Sequence, residues 1–182
     1  MQNSILGITK TDATNFTEPV DLDEVKDHLA ITDSDTNQKI VALITQCRQA
    51  VENYLNISII QRDIILTVDL YSDFIFYYGP VTAITEIKFR TGTDILGVPE
   101  YLTLALTDWR SDDFLNFSST RYGRHRIAYS AGYLPGEVPE DLRLGIMNEI
   151  AYRLEHRGDE DSSGGLSEGS RQLINPYWIP CV

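Results

Sequence analysis

The chain has 182 residues, 42% of them hydrophobic and 10% aromatic, which is enough for one folded domain with a real core and a tail. Fifteen basic residues against twenty-seven acidic ones give a formal charge of −12, which argues against tight wrapping of nucleic acid and against anionic membrane surfaces, since both need an excess of Lys and Arg. No apolar run approaches the ~18–20 residues of a membrane span, the first ten residues lack the basic start and apolar core of a secretory signal, and Cys47 and Cys181 make no disulfide framework, so a reduced, intracellular chain is the simplest reading.

Residues 1–20 read as an irregular leader. Asp21 can then cap a helix and Glu24, three residues on, can reach back to it, with Leu22, Val25 and Leu29 on one face, so a short helix is expected over about 21–30. A polar break at Ile31–Asn37 follows. Beyond it Ile40, Leu43, Ile44, Cys47, Val51, Tyr54 and Leu55 recur at helical spacing and predict a long helix over about 35–55. Its solvent side is assigned to Gln38, Lys39, Gln46, Arg48, Gln49 and Glu52.

The period then changes to two. Ile64, Leu66, Val68 and Leu70 alternate as in a strand, Phe74–Tyr78 is aromatic and strand-like before Gly79-Pro80, and Thr82–Arg90 is a further strand before the turn-prone Thr91–Asp94. Tyr101–Leu106 and Arg126–Ser130 complete an antiparallel β-insert over about 58–130. In the stretch Tyr129–Leu142, glycines and prolines lead into a helix: Pro139 suits its first turn, Glu140 and Asp141 its positive end, and Leu142, Ile146, Ile150 and Leu154 make a stripe over about 139–157. Residues 158–182 read as a flexible acidic linker and then an apolar, aromatic docking tail carrying Leu173, Ile174, Tyr177, Trp178 and Ile179. Packing of that tail onto its own domain is the alternative. The docking reading expects truncation after Gly169 to leave the fold intact while weakening attachment. The fold class is therefore α+β: a small helical bundle of about three main helices, an inserted antiparallel β-region and an extended C-terminal tail.

Few residues nominate chemistry. Asp33-Ser34-Asp35-Thr36-Asn37 echoes the start of a calcium loop, but Gln38 and Ile44 stand where the glycine and the bidentate glutamate belong. His28, His125 and His156 are scattered, form no zinc-type pair and read as solvated surface residues. Cys47 reads as part of the buried helix stripe. No nucleophile elbow, dinucleotide fingerprint or phosphate loop occurs, and no cofactor is expected. The single basic patch, Arg121-Tyr122-Gly123-Arg124-His125-Arg126, makes Arg121, Arg124 and Arg126 candidates for inter-subunit or DNA-facing contacts, with the acidic surface of a neighbouring copy preferred. A binding module using the β-region for a peptide or glycan is the alternative function class, with the aromatics Phe74–Tyr78 and Tyr177–Trp178 as a groove.

The order of elements carries more than any one residue. The opening Leu22-Asp23-Glu24-Val25-Lys26-Asp27-His28-Leu29-Ala30-Ile31, the acidic break, the long helix ending Val51-Glu52-Asn53-Tyr54-Leu55, a β-insert, then Tyr129-Ser130-Ala131-Gly132-Tyr133 and Val138-Pro139-Glu140-Asp141-Leu142 together resemble the head-tail connector (adaptor, head completion) proteins of tailed bacteriophages over roughly 21–157. The resemblance implies a non-enzymatic virion protein made in the host cytoplasm. It would form a ring, twelve-fold in the virion, below the portal at the head-tail junction. Its implied partners are further copies of itself, the portal protein, a downstream head-completion or tail protein, and genomic DNA passing through the channel without sequence-specific binding; no membrane is involved. In related connectors the C-terminal segment reaches into the portal, a role that residues 173–179 would take here. The long β-insert, the acidic linker and the aromatic tail have no residue-by-residue match in that pattern.

Overall fold

The computed structural model describes residues 3–12, 16–72, 74–104, 109–110, 116–119, 121–156 and 165–179. The chain is α+β and divides into two compact units that interleave along the sequence. One unit comprises residues 1–15 and 61–132, the other residues 16–60 and 133–182.

The first unit is built on a five-stranded antiparallel sheet. Its strands are β1 (Ser4–Asp12), β2 (Arg62–Leu70), β4 (Val81–Thr93), β5 (Pro99–Thr103) and β8 (Gly123–Ala131), in the order β1-β2-β8-β4-β5. Three short strands, β3 (Phe74–Ile75), β6 (Trp109–Arg110) and β7 (Asn116–Ser119), pair in the order β3-β7-β6. Strict alternation in β2 puts Ile64, Leu66, Val68 and Leu70 on one face, where they meet Ile127 and Tyr129 of β8, Ile87 of β4 and the aromatics Phe74 and Phe76. The Tyr129 hydroxyl donates to the Tyr77 carbonyl at 2.5 Å, so its one polar atom is satisfied inside this core.

The irregular leader expected at the N-terminus contains β1, and this is a correction. Ser4–Asp12 lacks a clean alternation, carries Gly7 at a register shift and is mostly exposed, so its strand state comes from pairing with β2 rather than from its own pattern. His125 is a second correction. It was read as a surface residue but is fully buried in the central strand, its Nδ1 2.9 Å from the Gly123 carbonyl and its ring 5.2 Å from that of Phe89. The aromatic run Phe74–Tyr78 is strand only over its first two residues. Residues 105 and 106 of the expected Tyr101–Leu106 strand lie outside the described residues.

The second unit contains α1 (Leu22–His28), α2 (Asn37–Leu55), α3 (Glu140–Glu155) and α4 (Glu168–Ile174), the last running into a 3-10 turn at Asn175–Tyr177. The capping box is formed as its spacing predicts: the Glu24 amide donates to Asp21 Oδ1 at 2.8 Å, and the Asp21 amide to Glu24 Oε2 at 3.1 Å. Ile40, Ile44, Cys47, Val51 and Leu55 of α2 close a core with Leu142, Ile146 and Ile150 of α3 and Ile174 of α4. Burial pushes the Cys47 thiol up to about 12, as for a packing residue rather than a nucleophile.

Arg48 and Glu52 are corrected from the solvent side of α2 to its interior, at 2% and 4% exposure. Arg48 donates to Glu18 Oε2 at 2.7 Å and to Glu52 Oε2 at 2.9 Å, and Glu52 Oε1 accepts the Ile59 amide at 2.7 Å. Burial works against the Arg48 charge, but the hydrogen bond to Glu18 and the charges of Glu52 and Glu18 outweigh it and hold the guanidinium above its usual pKa. A charged pair inside a core persists only with such partners.

Candidate functional site

Among the described residues no group of three or more His, Cys, Asp or Glu could hold a metal ion, and no helix is long and apolar enough to cross a membrane. The informative features are surfaces. They are the C-terminal segment, the β4–β5 hairpin tip and the open face of the five-stranded sheet.

The C-terminal segment folds back on its own unit. Ser167 caps α4 by accepting the Ser170 amide, and its own amide donates to the buried carboxylate of Glu149 at 2.8 Å. The Ser170 hydroxyl donates to the Gly145 carbonyl at 2.5 Å, and a Cβ on Gly145 would overlap the Ile174 side chain, so α3 and α4 touch backbone to side chain. Further on, the Tyr54 hydroxyl donates to Asn175 Oδ1, the Ile179 amide donates to the Leu55 carbonyl, and Asn56 Nδ2 donates to the Ile179 carbonyl. Of the five tail residues singled out in the sequence, Ile174 is fully buried. Leu173, Tyr177 and Ile179 are half-buried against the helical core, and Trp178 stands out at 52% exposure. The linker at 158–164 lies outside the described residues.

The hairpin tip was missed by sequence reasoning. Asp94 Oδ1 accepts the amides of Leu96 and Val98 at 2.9 and 2.8 Å, and this ordered turn displays Ile95, Leu96 and Val98 to solvent. The available signal was the apolar quartet Ile95-Leu96-Gly97-Val98 set in a turn.

The three arginines of the basic patch separate. Arg121 precedes β8 and lies over the Phe89 ring, on the core face, at 5.8 Å. Arg124 and Arg126 point the other way, out of the open face, as the burial alternation of β8 requires. Arg124 makes a bidentate pair with Asp69, Nε to Oδ1 at 3.0 Å and the second nitrogen to Oδ2 at 3.1 Å, and that hydrogen bonding raises its pKa. Lys88, across from Arg126 on β4, pairs with Glu86 at 2.8 Å, and Arg90 donates to the Gly92 carbonyl at 3.3 Å. Arg126 is exposed and has no carboxylate or carbonyl partner among the described residues. It lines a concavity of about 440 Å³ together with Gly7, Ile8, Thr9, Ile65, Thr67 and Tyr101. Residues from β1 and β5 share this concavity, so the sheet coils until its two outer strands flank one hollow.

Comparison with known proteins settles the family. The model of the head completion protein family matches residues 19–165. This chain belongs to that family. The matched span takes in the capped opening helix and the glycine- and proline-rich junction that carry the resemblance in the sequence. A search of the curated proteins finds no match. Among solved structures, the fold is similar to a chain in the neck of an empty gene transfer agent (GTA) particle computed with C6 symmetry: TM-score 0.69, 18% identity, 96% of this chain and 97% of that one covered. It is likewise similar to a chain of the virion of a native GTA particle, with TM-score 0.69, 18% identity and 95% and 96% coverage. A third match is to the neck of a native GTA particle computed with C12 symmetry, with TM-score 0.63, 20% identity and 96% and 97% coverage. A head completion protein therefore shares its fold, over nearly its whole length, with chains from GTA particles.

Proposed function

We propose that this head completion protein is a structural, non-enzymatic component of the virion neck. Twelve copies form a ring adaptor below the portal, extend the DNA channel, and present a platform to the next head-completion or tail protein. The observation that carries this reading is the family match over 19–165, supported by near full-length similarity to chains from particle necks. Those necks were computed with C6 and C12 symmetry, orders compatible with twelve copies. A ring needs a heterologous contact, in which one surface of a copy meets a different surface of the next.

Portal contact is assigned to the C-terminal segment, with Trp178 as its exposed anchor. Half-exposed tryptophans of this kind are favoured at interfaces because a large apolar ring is buried at little entropic cost. Electron microscopy of the purified protein mixed with portal rings tests the proposal. A ring coaxial with the portal is expected, and Trp178→Ala is expected to weaken attachment by roughly tenfold or more without changing the melting temperature. Persistent monomers that ignore the portal across salt conditions would overturn it.

A further inference from the structure

The two units differ in charge far more than in size. The sheet unit carries eight basic and ten acidic residues, the helical unit seven and seventeen, so ten of the twelve net negative charges sit on the helical unit. On that unit Asp23 and Asp27 stand one helical turn apart on α1, and Asp33 and Asp35 follow in the next turn. All four are exposed, and none has a cationic partner among the described residues. The open sheet face presents the opposite: four cations, three of them already held by Asp69, Glu86 or a carbonyl, and Arg126 unheld in its hollow.

We propose that the Arg126 hollow of one copy receives the acidic α1 face of the next copy, giving the heterologous contact that closes the ring. This rests on the ring reading above and names the surfaces it uses. The hollow suits a protein carboxylate. Thr9, Thr67 and Tyr101 offer hydroxyl donors beside one guanidinium, and Ile65 and Ile8 offer apolar walls for the stem of a side chain. It suits a nucleic-acid backbone poorly. Asp63, Asp69 and Glu86 project from the same face, and a polyanion held at many phosphates would meet them, whereas one inserted acidic patch need not. Two copies of a chain with charge −12 repel at distance, so a local site of opposite sign is what allows them to approach in one orientation only.

A charge swap in the full chain tests this. Arg126→Glu alone and Asp23→Lys/Asp27→Lys alone should each keep a cooperative melt, because none of these side chains is buried, and each should weaken self-association roughly tenfold or more by light scattering and electron microscopy. Mixed in equal amounts, the two variants should recover assembly as rings in which they alternate, since each reversed surface then faces its complement. Normal assembly of Arg126→Glu, or no recovery on mixing, overturns the inference while leaving the ring reading standing. Arg126→Glu that assembles normally but loses retention of duplex DNA overturns it in favour of phosphate binding. Wild-type protein that never forms rings, with or without portal, overturns both.

Discussion

His125 shows how far a residue can sit from its composition-level expectation. It lies near the start of β8, the central strand of the sheet, and burial lowers its pKa below the ordinary 6.5, against smaller opposing effects of the Gly123 carbonyl and of Asp69. Above that value the ring is neutral in folded and unfolded chains alike, so it adds no pH dependence. Below it the unfolded chain takes up a proton that the folded chain resists, so stability is lost as pH falls toward the folded pKa. The melting temperature is expected to drop as pH falls below about 6.5, and His125→Phe should flatten that part of the profile. An unchanged slope in the variant would assign the drop to other groups. Arg48 teaches the same lesson: its partner Glu18 lies 30 residues before it, and no local spacing announces such a pair. Sequence reasoning defaults charged residues to solvent, and the default fails wherever a distant residue supplies the counter-charge.

At the scale of elements, signals contained in a few consecutive residues were readable and signals supplied by a partner were not. The capping box at Asp21, the apolar stripe of α2, the alternation in β2 and the Pro139 helix start all carry their cause within the segment itself. Strand β1 exists because β2 offers it an edge, and α4 docks because Gly145 leaves room for Ile174. That close approach makes a prediction. Gly145→Ala should be destabilising by about 1–3 kcal/mol despite the better helix propensity of alanine, and Ile174→Ala should relieve part of that cost in the double variant. Strict additivity of the two effects in thermal unfolding would argue that α4 does not pack as described. The same contact revises the expectation for truncation after Gly169: removing Ser170 and Ile174 opens the helical core, so a lower melting temperature is expected rather than an intact fold.

For the whole molecule, the family was legible from the order of elements, because capped helix, long helix, β-insert and junction occur in that sequence. The division into units was not, since residues 1–15 join a sheet that begins 46 residues later. The Arg126 hollow was half-legible. The basic patch marked the segment, but only strand alternation and the coiling of the sheet separate Arg126 from Arg121 and Arg124. The net charge gives a prediction at this scale. Duplex DNA at about 0.1 M salt should show no mobility shift with the protein, because fifteen basic residues against twenty-seven acidic ones leave no excess of cations to displace its counterions. A shift that fades with rising salt would contradict it.

The chain visits the sheet unit, then the helical unit, and returns to each once. During synthesis, therefore, neither unit is ready when its first segment leaves the ribosome. Strand β1 waits for β2, and both wait for β8, which supplies the middle of the sheet. The stripe on α2 stays uncovered until Leu142, Ile146 and Ile174 have been made. The sheet unit can close as soon as β8 has been made, whereas the helical unit waits for α3 and α4. The α2 stripe is covered only once α3 and α4 have been made, so a product cut short before α3 would present it to chaperones and proteases and would not compete with full-length copies for places in a neck.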